Sequence, residues 1–246
     1  MVKPNFKKGV KFSPDGAKDY GQVAAKIFAP IYPVIAGQIK KRCGIKQGVC
    51  LDIGSGPGHL GMAMTRGTRL KVYAVDFAWE ILKIAKKNIK ARGLEQKIKP
   101  VLADVHRIPF QKNSAALVVS RGSMRFWKNK VLAFKEIVRV LEPGGKAYVG
   151  GGAGNAKLDA QIGKAMMKHH RAAMVKRGRQ KDSRPKRKYG KMHEKVFKNI
   201  LRKAGAVRCD IINDDSGFWI YLEKRRRVGE KGSRGRGSKG LRVKPM

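Results

Sequence analysis

The chain has 246 residues and a formal net charge of +40, from 57 lysines and arginines against 17 aspartates and glutamates. Its length suits one large α/β domain, and an apolar content of 42% is enough for a hydrophobic core. The longest apolar run, residues 27–37, contains two prolines and is shorter than the about 20 residues that a membrane-spanning helix needs, so no transmembrane segment is expected.

The distribution of charge divides the chain into three parts. Residues 1–46 carry 10 basic and 2 acidic side chains and form a predicted N-terminal basic segment. Residues 47–223 form the predicted central domain, which contains a basic stretch over 176–191. Residues 224–246 carry 10 basic residues among many glycines, which predicts a disordered basic tail. A positive surplus of this size is typical of proteins that contact a polyanion, such as RNA, a ribosome or an anionic surface.

The central part alternates short apolar runs with helical patterns, which is typical of βαβ units in a parallel sheet. Strands are predicted over 49–53, 71–76, 98–103, 116–120 and 146–150. Helices are predicted from residue 59 and over 78–92, 130–141, 155–175 and 191–204. Two further strands, 207–212 and 217–223, flank a short polar turn and predict a terminal antiparallel hairpin.

A glycine-rich loop, LDIGSGPGHLG over residues 51–61, follows the first predicted strand and precedes a helix. Glycines at such a junction let a ligand approach the backbone and the helix N-terminus, which predicts a cofactor site. The segment 56–61 is a literal GxGxxG, and Asp76 follows Gly56 by 20 residues, as in dinucleotide-binding proteins. Taken alone, this spacing favours a nicotinamide-dependent oxidoreductase.

Two features argue against a dinucleotide. The carboxylate of Asp52, at the end of the first strand, would oppose a pyrophosphate and suit a cationic cofactor. The order of elements also lacks the second mononucleotide-binding half that a dinucleotide needs. The sequence therefore favours a cofactor that carries positive charge.

Four motifs, in order along the chain, resemble those of class I S-adenosylmethionine (SAM)-dependent methyltransferases. They are Asp52-x-Gly54-x-Gly56-x-Gly58, Asp76 at the end of the second strand, Ala103-Asp104-Val105 after the third, and Leu141-Glu142-Pro143-Gly144-Gly145 before the fifth. The resemblance covers residues 47–152, and this core is similar to that of the ubiquinone/menaquinone methyltransferases. It implies a Rossmann-like, seven-stranded, mostly parallel sheet with a C-terminal antiparallel hairpin and helices on both faces, and it implies SAM as cofactor.

The resemblance also implies roles for individual residues. Those expected at the cofactor are Asp52, Gly54, Ser55, Gly56 and Gly58 at the methionine end, Asp76 at the ribose, Phe77, Asp104 and Val105 at the adenine, and Ser120 facing the transferred methyl group. In the family, the chain before the first strand commonly forms a helical lid over SAM, so residues 1–46 are expected to do so here. Methyl transfer from a sulfonium is an in-line displacement, so no obligatory catalytic side chain is expected.

The segment after the fourth strand, SRGSMRFW over residues 120–127, indicates which kind of molecule accepts the methyl group. It lacks the Asn/Asp-Pro-Pro-aromatic tetrad of enzymes that methylate nucleobase amines. No cysteine lies between Cys50 and Cys209, which excludes the RNA cytosine-C5 type. The segment instead resembles the small-molecule branch, with arginines suited to an anionic substrate and aromatic rings suited to a pocket wall. The candidate substrate-pocket residues are Tyr20, His106, Arg121, Arg125, Phe126 and Trp127.

The sequence leaves several functions open. A SAM-dependent methyltransferase with a small-molecule acceptor is favoured, ahead of an RNA- or ribosome-associated methyltransferase that uses the basic segments. A non-catalytic nucleic-acid-binding protein with this fold is a further alternative. No metal is expected, because the five histidines and three cysteines lack ligand spacing, and the cysteine pattern favours a reducing cytoplasm.

Overall fold

The computed structural model describes residues 13–175, 191–206 and 208–226. The helices are α1 (Pro14–Lys26), α2 (Ile31–Cys43), α3 (His59–Thr65), α4 (Trp79–Lys90), α5 (Lys130–Val140), α6 (Ala156–Val175) and α7 (Lys191–Lys203). The strands are β1 (Gln47–Ile53), β2 (Arg69–Asp76), β3 (Ile98–Leu102), β4 (Ala115–Arg121), β5 (Leu141–Gly151), β6 (Arg208–Asp214) and β7 (Gly217–Glu223). Most of the predicted basic stretch and tail, residues 176–190 and 227–246, lies outside the described residues.

The strands form one sheet in the order β3-β2-β1-β4-β5-β7-β6. Neighbours from β3 to β5 are parallel, whereas β7 runs antiparallel to both β5 and β6. The predicted Rossmann-like sheet with a C-terminal antiparallel hairpin is therefore confirmed. The strand order reverses direction at β1 and β4, and the carboxyl ends of these strands border the crevice where ligands bind in open α/β sheets.

Strand β1 shows why the central strands form where the sequence predicts them. Residues 49–53 are all buried, as expected for a parallel strand that has helices on both faces. Successive side chains point to opposite faces, so Leu51 belongs to the first of two hydrophobic clusters and Cys50 to the second. The first cluster contains α5 and α7, and the second contains α2 and α3.

The N-terminal helices attach to this sheet in different ways. Helix α2 buries Ile31, Ile35 and Ile39 completely in the second cluster, so it shares the core of the central domain. Helix α1 begins at a capping Ser13 side chain and contributes to a small separate cluster with α4, which contains Ala17 and Ile81. Helix α1 buries three residues, whereas α2 buries six.

The described chain stays ordered just beyond β7. The Lys224 N–H donates to the Gly145 carbonyl at 2.9 Å, and the Gly144 N–H donates to the Lys224 carbonyl at 2.8 Å. The Lys224 ammonium donates to the carbonyls of Val138 and Leu141, each at 2.7 Å, and to Asn113 Oδ1 at 2.8 Å. The first residue of the predicted tail thus ties β7 to the end of α5 and the start of β5. No helix among the described residues is both long and apolar enough to cross a membrane.

Replacing Lys224 with methionine is expected to destabilise the fold, because the carbonyls that accept its protons lose a charged donor. The expected loss is about 1 to 3 kcal/mol in the free energy of unfolding, measured by urea denaturation. The matched control is Lys135→Met, which changes an exposed lysine of α5. Equal stabilities of the two variants would show that the Lys224 contacts contribute nothing.

Candidate active site

The glycine loop turns tightly over the end of β2. Gly54, Gly56 and Gly58 have φ angles of +64°, +55° and +85°, which only glycine adopts readily. The N–H groups of Gly54 and Ser55 both donate to the Val75 carbonyl, at 2.8 and 3.1 Å. A Cβ at Gly54 would lie 2.3 Å from the Ser123 Cβ, so a side chain has no room there. The loop is therefore held close to the strand ends, with α3 starting directly beyond it.

Asp76 fixes the loop from the end of β2. Its Oδ2 accepts a hydrogen bond from the Gly56 N–H at 2.9 Å, and its Oδ1 accepts from the Ala78 N–H at 3.0 Å. Burial raises the pKa of this carboxyl, and the N–H donors of Ala78, Gly56 and Phe77 act in the opposite direction. Each oxygen retains acceptor capacity, which suits Asp76 to a pair of hydroxyl groups.

Asp52 lies below the same loop at the end of β1 and is 1% exposed. Its Oδ2 accepts the N–H of Gly61 at 2.9 Å, in the first turn of α3. Burial raises the pKa of this carboxyl to about 7, against the lowering effect of the Gly61 hydrogen bond. A cation bound beside Asp52 would favour the ionised carboxylate.

A small cleft lies between the loop and the N-terminal helices. Together with its opening to solvent it holds about 280 Å³ of empty space. Its lining residues are Tyr20, Tyr32, Asp52, Gly54, Ser55, Pro57, Leu60 and Arg121. The Ser55 hydroxyl is buried and makes no hydrogen bond to any described residue, so it is a polar group that a ligand could satisfy.

Aromatic side chains from α1, α2 and the turn between them cover this cleft. Tyr20 lies over the glycine loop, since a Cβ at Gly56 would be 3.3 Å from its ring. The guanidinium carbon of Arg121 lies 4.8 Å from the Phe28 ring centre and 5.8 Å from that of Tyr32. The Tyr32 ring also lies 5.2 Å from the imidazole of His59, and burial lowers the pKa of that histidine to about 4. The covering residues are thus mainly apolar and uncharged.

The predicted adenine segment after β3 contains a hydrogen-bonded histidine. Asp104 Oδ1 accepts from the His106 backbone N–H at 2.8 Å and lies 2.5 Å from His106 Nδ1. The Asn129 N–H donates to His106 Nε2 at 3.1 Å. Both ring nitrogens therefore have partners, which leaves no free imidazole nitrogen to act as a base. Val105 is buried in the first core cluster, and Phe77 is partly buried beside Asp76.

A second hydrogen-bonded group links β4 to β1. The hydroxyl oxygens of Ser120 and Ser123 lie 2.7 Å apart, and the Ser123 hydroxyl donates to the Ile53 carbonyl at 3.2 Å. The Trp127 indole N–H donates to the same Ser123 oxygen at 3.2 Å. Ser123 was not among the predicted site residues. The signal that could have found it is Gly54, whose missing side chain makes the space that Ser123 occupies.

The remaining predicted pocket residues lie at different depths. Trp127 is 5% exposed and packs edge-on against Phe134 in the first core cluster, with ring centres 5.7 Å apart. Phe126 is 51% exposed and carries the Arg125 guanidinium 4.7 Å from its ring centre. The structure thus brings Tyr20, Arg121, Asp52 and the glycine loop together, and it places Phe126 at the surface.

Comparison with known proteins agrees with this geometry. A family described as "Methyltransferase domain" matches residues 51–149. A Methanococcus maripaludis protein of known structure, described as a candidate SAM-dependent methyltransferase, is 38% identical. The match covers 94% of this chain and 100% of that one, with a TM-score of 0.78. The chain therefore belongs to the SAM-dependent methyltransferase family, as the four motifs predicted.

Several of the curated relatives that the chain matches are quinone methyltransferases. A ubiquinone/menaquinone biosynthesis C-methyltransferase from Idiomarina loihiensis is 28% identical over 109 residues, which are 43% of each chain. A 2-phytyl-1,4-naphtoquinone methyltransferase from Trichormus variabilis is 32% identical over 112 residues, 44% of this chain and 49% of that one. The chain thus spans about half the length of the curated relatives that it matches.

Replacing Asp52 with asparagine is expected to make the ligand-free protein more stable at pH 8. The folded-state pKa of about 7 lies above the usual value near 3.9, so the stability contributed by the protonated carboxyl is lost as the pH rises from about 4 to 7. The full penalty is about 4 kcal/mol, and asparagine removes it while keeping an acceptor for the Gly61 N–H. Urea denaturation at pH 5 and pH 8 measures the difference.

The matched control for this experiment is Asp159→Asn, which changes an exposed aspartate of α6. We expect the stability gain of Asp52→Asn to be several times larger at pH 8 than at pH 5, and the control to show no such dependence. A gain that is the same at both pH values would contradict the raised pKa of Asp52.

Proposed function

We propose that this protein transfers a methyl group from SAM to a small-molecule acceptor. The observation that carries the proposal is that two carboxyl groups contact the glycine loop and its following helix, at the crevice where the strand order reverses. Asp76 holds the loop at the end of β2, and Asp52 lies under it at the end of β1. Acidic groups at this position suit a ligand with an ammonium and a sulfonium group.

The residues at the crevice fit this cofactor. The unsatisfied Ser55 hydroxyl and the Asp52 carboxyl are suited to its methionine end, and Asp76 is suited to its ribose hydroxyls. Asp104 and Val105 remain the proposed adenine contacts. When bound, SAM supplies a methyl group that its positive sulfur has already activated for displacement.

The chain's own contribution is alignment and exclusion of water. The strand ends are covered by the aromatic rings of Tyr20, Tyr32 and Phe28. Leu60, a residue of α3, lines the same cleft. A covered, water-poor cleft holds the donor and acceptor in line and strengthens the electrostatic interactions inside it. With both nitrogens of His106 engaged, we assign no side chain as a base.

A small acceptor is favoured over RNA by two observations. Aromatic residues of the N-terminal segment cover the glycine loop and the end of β4, which suits a small molecule better than a polynucleotide strand. Several of the curated relatives carry names of quinone methyltransferases. The basic stretches that suggested an RNA or ribosome partner lie mostly outside the described residues, so that partnership stays a prediction, as does the cytoplasmic location.

Calorimetry with S-adenosylhomocysteine tests the cofactor assignment directly. We expect the wild-type protein to bind it, and Asp76→Ala to weaken binding by about 1 to 3 kcal/mol, roughly 5- to 150-fold, because charge-assisted hydrogen bonds are lost. Asp159→Ala serves as the exposed control. Tight NADH binding without S-adenosylhomocysteine binding would contradict the proposal, and an unchanged affinity of Asp76→Ala would remove Asp76 from the site.

SAM binding is also expected to release a proton near neutral pH. Asp52 is about half protonated at pH 7 when the site is free of ligand, and a bound cation favours the carboxylate. The affinity for SAM should therefore rise between pH 6 and pH 8, and calorimetry in buffers of different ionisation enthalpy should detect the released proton. Asp52→Asn should flatten both effects. A wild-type affinity that falls over this pH range would contradict the role of Asp52.

A further inference from the structure

Arg121 is the last residue of β4 and lies on the far side of the crevice from Asp76. Its Nε donates to the Gly152 carbonyl at 3.2 Å, just beyond the end of β5. In the sheet order, β4 and β5 follow β1 on the side opposite β2. Arg121 therefore borders the half of the crevice that the cofactor's ribose site on β2 does not use.

The surroundings of Arg121 are unusual for a cation. Its guanidinium carbon faces the rings of Phe28 and Tyr32, and the side chain lines the same cleft as Asp52. Burial lowers the pKa of Arg121, the tyrosine phenols raise it, and the like-charged Arg125 lowers it further. The arginine is thus held at the cleft wall by aromatic contacts, a hydrogen bond with the Tyr32 side chain and one backbone carbonyl.

Arg121 forms no ion pair with any described residue, in contrast to two other arginines of the fold. Arg139 pairs with Glu136 at 2.6 Å, and Arg208 lies 3.8 Å from Glu223. A guanidinium that is partly removed from water without a counter-charge carries a desolvation cost. Its planar donor fork matches the oxygens of a carboxylate or phosphate, which would supply that missing charge.

We propose that Arg121 recognises the methyl acceptor, and that the acceptor carries an oxyanion, a carboxylate or a phosphate, which pairs with this guanidinium. The inference rests on the proposed function, because it assigns a substrate class to the same cleft. The inference makes Arg121 a specificity-determining residue on the β4–β5 side of the crevice. There the rings of Phe28 and Tyr32 form an apolar wall beside its guanidinium. The carboxylate of SAM itself is the competing partner for Arg121, and the test separates the two.

The experiment uses the full-length protein with radiolabelled SAM and a protein- and nucleic-acid-free extract of small cellular metabolites. Labelled products are separated on an anion-exchange resin at pH 7. We expect the wild-type label in the retained, anionic fraction, and we expect Arg121→Gln to lower this transfer by at least about tenfold. Arg121→Lys should retain part of it, because the charge remains while the planar fork is lost. Phosphatase treatment of the retained product distinguishes a phosphate from a carboxylate.

The affinity for S-adenosylhomocysteine provides the control for folding and for the competing partner. Both Arg121 variants should bind it within about threefold of wild type. Arg202→Gln, an exposed arginine of α7, should match wild type in both assays. A loss of S-adenosylhomocysteine affinity as large as the loss of transfer would assign Arg121 to the cofactor and overturn the inference.

The remaining outcomes separate this inference from the proposed function. If the wild-type protein fails to bind S-adenosylhomocysteine, the proposed function itself is wrong. If it binds but labels only neutral or cationic products, or labels no anionic product, the acceptor class inferred from Arg121 is wrong while the cofactor assignment stands.

Discussion

The hydrogen bonds that Asp76 accepts from the N–H groups of Gly56 and Ala78 are the interaction on which the rest of the site depends. One carboxylate at the end of β2 holds the glycine loop on one side and the start of α4 on the other. Because the loop is fixed there, α3 begins over Asp52, and the crevice opens between β1 and β4. Asp76 thus holds the loop in place and is also expected to contact the cofactor. The same carboxyl group therefore contributes to local folding and to cofactor binding.

Sequence reasoning succeeded where the pattern was local. Continuous buried runs predicted the five parallel strands, and the glycine loop with Asp76 predicted the crevice. The central position of α2 was harder to predict, because it depends on which face of the sheet the helix covers. The LEPGG segment was predicted as a turn before β5, whereas it belongs to β5 itself, with an irregularity in its pairing to β4. That pairing is a tertiary property that no short window of sequence contains.

Among the site residues, too, those set by local sequence could be predicted and those set by tertiary packing could not. Asp52, Asp76 and the glycines were identifiable from spacing, because their backbone positions are dictated by the loop. The partners of Ser123 and His106 were not, since the Ile53 carbonyl and the Asn129 N–H reach them only through the packing of β4 against β1 and the start of α5. Side chains that orient other side chains leave little trace in sequence. The placement of Arg121 against Phe28 likewise requires knowing that the turn before α2 lies over the end of β4.

The unequal attachment of the two N-terminal helices has a consequence for turnover. Helix α2 is anchored by fully buried isoleucines and cannot leave without exposing the core, whereas α1 rests on a small cluster beside α4. Tyr20 belongs to α1 and sits directly on the glycine loop. Replacement of a spent cofactor would therefore need only α1 to move away from the glycine loop, while α2 keeps its place in the core.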